Sequence, residues 1–477
     1  MNEILINCDQ AIFTSLRGTM GEGYRIVACS KGLKPEEKQA ITRLSPSQDA
    51  LCLSPSDEKT FDPSKVCAAY YPLPGGRLCV ALSCYAGAEH TGRGGHRAYT
   101  HNLILTEEQF ASCAYNPFHV IRAMISAGMN TPQLSPPQNL SVVDLRVKLA
   151  TSGNLGKRDP GMCSIPVLRF LLNAMLASRH VVGNVAARWL ETAEMVLLGV
   201  PGPMRAQLSM GAGLKFSVGR SHHLQLLQDA TTGTKTRATG QHSDYIDGCG
   251  AAAPATPASA WLTLVERMWN QGDWAYLSHR TSKPFQDAGP ESRERLARWY
   301  QCIDDAANME LTKLLAVAAE HFAPRKDPIE GEIVGELLAG IQRELLRRLN
   351  VETWPNVFKT WSPLLAQWRR SDVGFTWSTP LVEAVFRSAL RNDPAAAGAL
   401  VMDMTRHSTG ESHEQDRREM VEGALMQLVK WAEGASDEQI TPMRRVVDSL
   451  RTHRPACPLS KRLLERCAPK TPVMARR

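Results

Sequence analysis

The stretch Tyr85–Leu105, YAGAEHTGRGGHRAYTHNLIL, gathers Arg93, Arg97, His90, His96 and His101 around Gly92, Gly94 and Gly95. Glycine admits positive φ and lets another chain or a ligand come close to the backbone. Arginine offers a planar donor fork for phosphate or carboxylate, and histidine exchanges a proton near neutral pH. The chemistry open to this set is anion capture by Arg93, with His96 or His101 as acid and base. No complete catalytic set accompanies it. His96 and His101, five apart on a strand, point to opposite faces, which also argues against a two-histidine metal site. A recognition loop or a tight strand crossing therefore weighs ahead of catalysis.

Other chemistries fare worse. Gly211-Ala212-Gly213-Leu214-Lys215-Phe216-Ser217 has the residue types of a phosphate loop, but Lys does not directly follow the last Gly, so it reads as strand–turn–strand. There is no G-x-S-x-G elbow. Cys84 lies near His90 and His96 but reads as a buried strand cysteine. His222-His223, being adjacent, cannot chelate one ion from a strand. His242, Asp244 and Asp247 read as a solvated loop. No metal and no cofactor is expected.

The elements that position these groups follow from patterning. At 477 residues, 43% apolar and 22% charged, the chain reads as an ordinary multidomain globular protein. No apolar run approaches the ~18 residues of a membrane span. No signal peptide is read at the N-terminus, and a cytoplasmic protein is expected. The twelve cysteines contain no C-x-x-C and read as reduced core thiols. From Met443 to Arg477 ten Lys and Arg face two acids, a local balance of +8 within a net charge of +7, so the charge sits in a basic tail.

The fold class expected is α+β. Residues 1–129 form a mixed N-terminal domain. Its strands are Glu3–Arg17 and Tyr24–Ser30 around a Gly18–Gly23 turn, Lys65–Tyr71 and Arg77–Cys84 around Pro72–Gly76, and His96–Leu105. Helices start at Pro35, Thr106 and Asn116-Pro117. After the polar connector Asn130–Asn139, residues 140–249 mix helices (Ile165–Leu176 and around Trp189–Leu197) with strands at Arg205–Met210 and Leu214–Leu227. Thr231–Gly240 reads as an exposed loop. Past Gly250–Ser259, residues 257–477 are helical, opening on the stripe Trp261, Leu264, Val265, Met268 and Trp269 behind a Thr256-Pro257 cap. Prolines 355, 363 and 380 break a tryptophan-punctuated stretch holding Trp354, Trp361, Trp368 and Trp377.

Read together, Asp9-Gln10-Ala11-Ile12-Phe13-Thr14-Ser15, Gly23-Tyr24-Arg25-Ile26-Val27-Ala28, Ser30, Gly32-Leu33, Tyr70-Tyr71-Pro72, Gly92-Arg93-Gly94-Gly95-His96 and Thr100-His101-Asn102-Leu103 form a signature. In that order it resembles the N-terminal domain of the GTPase-associated proteins of bacterial GTPase-centred conflict (defence) systems. Pro203-Met204-Arg205, Leu208-Ser209 and Gly213-Leu214-Lys215 are similar to their middle domain. The resemblance covers about the first half of the chain. It implies an accessory or adaptor protein beside GTPase partners, with Gln10, Tyr24, Arg93 and His101 as characteristic positions. On this basis the ligand- or partner-binding set expected is Gln10, Tyr24, Gly92, Arg93, Gly94, Gly95 and Asn102. The alternatives are a hydrolase or phosphotransfer enzyme using Arg93, His96 and His101, and then nucleic-acid binding through the basic tail.

Overall fold

The computed structural model describes residues 3–16, 23–52, 66–89, 94–133, 135–149, 163–185, 188–228, 231–248, 253–282, 289–321, 328–349, 372–406, 414–444, 448 and 458–468. The long strand β1 (Glu3–Ser15) organises the N-terminal part. Its second half lies between β2 (Tyr24–Ser30) and β5 (His96–Leu105), antiparallel to both, and its first half pairs with β7 (Val143–Lys148). β3 (Cys67–Pro72) and β4 (Leu78–Ala88) form the hairpin expected around Pro72–Gly76, and β4 then pairs with β5. The first-turn proline places α1 (Pro35–Leu44). Thr106 and Asn116 cap α2 (Glu107–Ser112) and α3 (Pro117–Ser126), each accepting a backbone N–H.

Period-2 alternation gives this sheet two buried faces. One packs Ala11, Tyr71, Cys79, Ala81 and Ile104 against Leu33 and Ile41, the latter on α1. The other holds Ile12, Ala28, Cys84 and Tyr99. The cysteines are free thiols, and burial pushes Cys79 and Cys84 up to about 12.

The sheet continues beyond the Asn130–Asn139 connector. Its path is β11-β8-β10-β9-β3-β4-β5-β1-β2-β6, with β7 on β1. Here β6 is Asn139–Leu140, β8 Val181–Asn184, β9 Met210–Ala212, β10 Leu224–Leu227 and β11 Asp244–Asp247. The last four are mutually parallel where they pair, and β9 joins β3 antiparallel. The segment after Gly211 is therefore not a strand–turn–strand hairpin: β9 is followed by a loop through Leu214, which bridges to Leu51, and only Leu224–Leu227 forms the next strand. Asp244 and Asp247 sit on β11, not in a solvated loop, paired with Arg179 and with the Asn184 amide.

Helices α4 (Ile165–Leu176), α5 (Trp189–Leu198), α6 (Gly202–Arg205), α7 (Thr232–Gly240), α8 (Ala260–Gln271) and α9 (Trp274–Ser282) accompany these strands. Thr232–Gly240 was expected to be a loop. It is helical because Thr231 caps it, accepting the Thr234 N–H, and Ala238 packs into a cluster with Val182 and Leu227. The stripe of α8 is buried as expected, with its indoles donating to the carbonyls of Gly199 and Met195. Its cap is Ser259, reinforced by Glu294, not Thr256-Pro257. Thr256 instead accepts from Arg169.

Chain contacts divide the molecule into Met1–Ala297 and Arg298–Arg477, the division falling within α10 (Pro290–Asp305). The described part of the second unit contains helices and a 3-10 turn at each of two places. α11 (Leu311–Glu320) and α12 (Pro328–Leu349) precede α13 (Asp372–Asn392), α14 (Pro394–Arg406), α15 (Glu414–Gly434), α16 (Asp437–Ile440) and α17 (Pro458–Cys467). Ile333, Leu337, Ile341 and Leu345 are buried along α12, as their spacing requires. Pro380 does not break its helix. It lies inside α13, and the Trp377 carbonyl in the turn it disturbs accepts from Gln342. Trp354, Trp361, Trp368, Pro355 and Pro363 lie outside the described residues. Three described arginines of the basic tail have protein partners: Arg462 pairs with Glu433, Arg466 caps the Ala432 and Ala435 carbonyls, and Arg444 donates to Cys467. The fold class is α+β. No described helix is long and apolar enough to cross a membrane.

Candidate functional site

β5 carries His96, His101 and Asn102, and its alternation sorts them. Gly94 and Gly95 sit at its entrance with φ of +69° and +86°, a backbone that side chains rarely adopt. The Gly94 carbonyl accepts from Gln48, and the Gly95 carbonyl accepts the Glu89 N–H at 2.9 Å. Asp49 completes the turn, accepting the His96 N–H at 2.7 Å while its own N–H donates to the His96 carbonyl at 3.1 Å. The His96 ring lies 5.2 Å from that of Tyr85. Gly92, Arg93 and His90 lie outside the described residues. A Cβ on Gly95 would fall on the Asp49 carboxylate. Gly95→Ala is therefore expected to cost about 1–3 kcal/mol, combining strain at positive φ with the lost turn. Urea unfolding checks the cost, and faster hydrogen exchange at the His96 amide locates it.

His101 is on the opposite face and is only 4% exposed. Gln10 on β1 reaches it across one strand spacing, with Oε1 2.9 Å from Nε2. The other end of that amide donates to the Ser141 carbonyl at 2.8 Å, which fixes its orientation, so His101 Nε2 is the donor to Oε1. Burial pushes the imidazole down to about 4, with a backbone contact at Met129 opposing part of the shift. At neutral pH it is an uncharged donor, poorly suited to be a base.

Asn102, again on the face of His96, is fully buried. It donates to the Ala11 carbonyl at 3.2 Å and accepts from Tyr71 and Cys79 at 3.5 Å. The Tyr24 hydroxyl donates to Glu89 at 2.9 Å and accepts the Ala98 N–H at 3.0 Å. Burial raises its pKa above the ordinary tyrosine value, Glu89 adding to the rise and the Ala98 N–H opposing it. The structure thus brings Gln10 to His101 and separates both from His96 and Asn102.

Two further groups escaped the sequence reading. Arg77 bridges Asp9, at 2.6 Å, and the buried Glu37, and also meets the Gly32 carbonyl. Burial alone would raise the Glu37 carboxyl, but the Arg77 hydrogen bonds and the Lys34 N–H outweigh it and hold it low. Gly32 must be glycine because a Cβ there would lie 2.6 Å from Asp9 Oδ2. Asp9 and Gly32 are both in the signature, but a contact with Arg77 carries no sequence pattern. The second group is a pair of clefts along β2. One, of about 770 Å³, is lined by Arg25, Val27, Arg97 and Pro136 among others, and one of about 560 Å³ lies between β2 and α1. Within the described residues no group of three or more His, Cys, Asp or Glu is arranged to hold a metal ion.

The adjacent histidines of the middle segment are in the loop before β10, not on a strand. His222 is buried against Tyr71 and its pKa pushed down to about 3 by burial and by Arg220, while His223 stacks on His180 at 4.7 Å.

Comparison with curated proteins and with solved structures gives no significant match. Residues 7–141, the span that holds Gln10, Tyr24, the glycine turn, His101 and Asn102, match the family model of GTPase-associated protein 1, N-terminal domain type 2.

Proposed function

We propose that the chain is an accessory protein working beside GTPases of a bacterial conflict system. Its N-terminal sheet recognises a partner protein or an anionic ligand, and its helical second unit serves as scaffold. The observation that carries this reading is the family match at residues 7–141. Within it, Arg93 with Gly92, Gly94 and Gly95 is proposed to meet an anion, and Gln10, Tyr24 and Asn102 complete the proposed binding set. The arrangement of the candidates supports recognition over turnover. A hydrolase or phosphotransfer site would need His96 and His101 to converge with Gln10 or Tyr24. The two imidazoles instead occupy opposite faces, and His101 is held neutral. Nucleic-acid binding through the tail ranks below both, because Arg444, Arg462 and Arg466 already hold protein partners.

The test is co-expression with the GTPases encoded by flanking genes and affinity purification with GTP or GDP present. Retention of a GTPase in at least one nucleotide state is expected. Absence of association in both states would sink the proposal.

A further inference from the structure

β2 pairs with β1 along its inner side, whereas on its outer side only Cys29 and Ser30 have a strand partner, in β6. Among the described residues no strand pairs with the outer edge from Tyr24 to Ala28. The chain leading into β6 carries Pro136 and Pro137, which have no N–H to contribute to a ladder there. Five residues of open edge span ~17 Å. The two clefts flank this edge and share Ile26 and Cys29, so it is approachable from both sheet faces. Arg25 and Arg97 line the first, and Lys38 and Arg43 the second, while among the described residues no carboxylate side chain lines either. The floor is apolar: Leu16, Ile26, Val27 and Ala28.

We propose that this edge receives an extended acidic segment of a partner protein, which adds a strand beside Tyr24–Ala28. Main-chain hydrogen bonds would hold the added strand. Its apolar side chains would meet the cleft floors and its carboxylates the four cations. A second copy of this chain would bring the same cations to the contact, like charge against like. Neither cleft offers an aromatic face on which bases would stack. The proposal rests on the adaptor reading only in taking the segment from another protein.

The experiment pans the full chain against a displayed random peptide library and measures the enriched peptides by fluorescence anisotropy. Acidic sequences with β-branched residues at alternate positions are expected, and their binding should slow hydrogen exchange at Ile26–Ala28. Arg25→Glu/Arg43→Glu should weaken them at least about tenfold, two attractions becoming repulsions, with an unchanged melting temperature. Should that variant melt early, Lys38→Glu alone should weaken them about threefold. The proposal is overturned by no enrichment, by peptides indifferent to acidity or to these variants, or by protection that appears elsewhere. It is also overturned by stronger competition from an oligonucleotide of equal charge, by outward-facing amides of Tyr24–Ala28 already protected in the free chain, or by a dimer that buries them. Because no GTPase takes part, a failed co-purification leaves this test standing.

Discussion

Arg205→Leu is expected to destabilise the first unit by about 3–5 kcal/mol, the range for breaking a buried hydrogen-bond network. Arg205 is fully buried at the end of α6, and among the described residues no carboxylate hydrogen-bonds to it. Burial alone brings its guanidinium down to about 10, with Tyr70 and Glu194 opposing the shift. What holds it is carbonyl oxygen. Nε donates to Val200 at 2.8 Å, and Nη2 to Leu198 at 3.2 Å and to the Thr281 hydroxyl at 2.7 Å. Nη1 lies 3.4 Å from the carbonyls of both Ala114 and Tyr115. Those two residues have φ of +57° and +52°, a strained conformation for any residue with a Cβ. One side chain therefore ties the end of α5, the α2–α3 corner and α9 together, and leucine would leave every one of those acceptors unsatisfied. Lysine, without the fork, should recover less than half of the loss. Urea unfolding of Arg205→Leu, with exposed Arg237→Leu as control, measures it. A loss below about 1 kcal/mol would contradict this account.

A second large effect is expected with pH. Burial lowers His101 and His119 to about 4 and His222 to about 3. In the unfolded chain each titrates near 6.5. Below that value the unfolded state binds protons that the folded state refuses, so stability falls as pH drops from about 6.5 towards 4. Above pH 7 all three are neutral in both states and the effect vanishes. At pH 5 each contributes up to about 2 kcal/mol of destabilisation, at about 1.4 kcal/mol per pH unit. Melting curves from pH 8 to 5 should show the decline, and His101→Gln should flatten it by about a third relative to the parent. Equal slopes in parent and variant would mean that His101 is not held neutral.

Much of the N-terminal sheet could be read from alternation and turn chemistry, because β1 to β5 are long and their turns are marked by proline and glycine. The division of His96 from His101 also followed from a period of two. Strands β8 to β11 were harder. Val181–Asn184 is four residues, buried on both faces, and a run that short carries no period. Thr232–Gly240 is rich in threonine and glycine, poor helix formers, and its cap and the packing of Ala238 against Val182 and Leu227 hold it. Arg205 escaped because arginine is a surface residue by default, and its acceptors come from three places in the chain. The open edge of β2 depends on where the chain around Ser135–Gln138 runs, which local pattern does not specify.

The central claim is that this chain recognises a GTPase partner through its N-terminal sheet. The most direct measurement is the affinity of the purified chain for a GTPase encoded in a flanking gene, loaded with GTP or GDP, for the parent and for Arg25→Glu/Arg43→Glu. Saturable binding in at least one nucleotide state, weakened by the double variant while the melting temperature holds, is the predicted result. No binding in either state would contradict it, and binding that the charge reversal leaves untouched would place the contact away from the edge of β2.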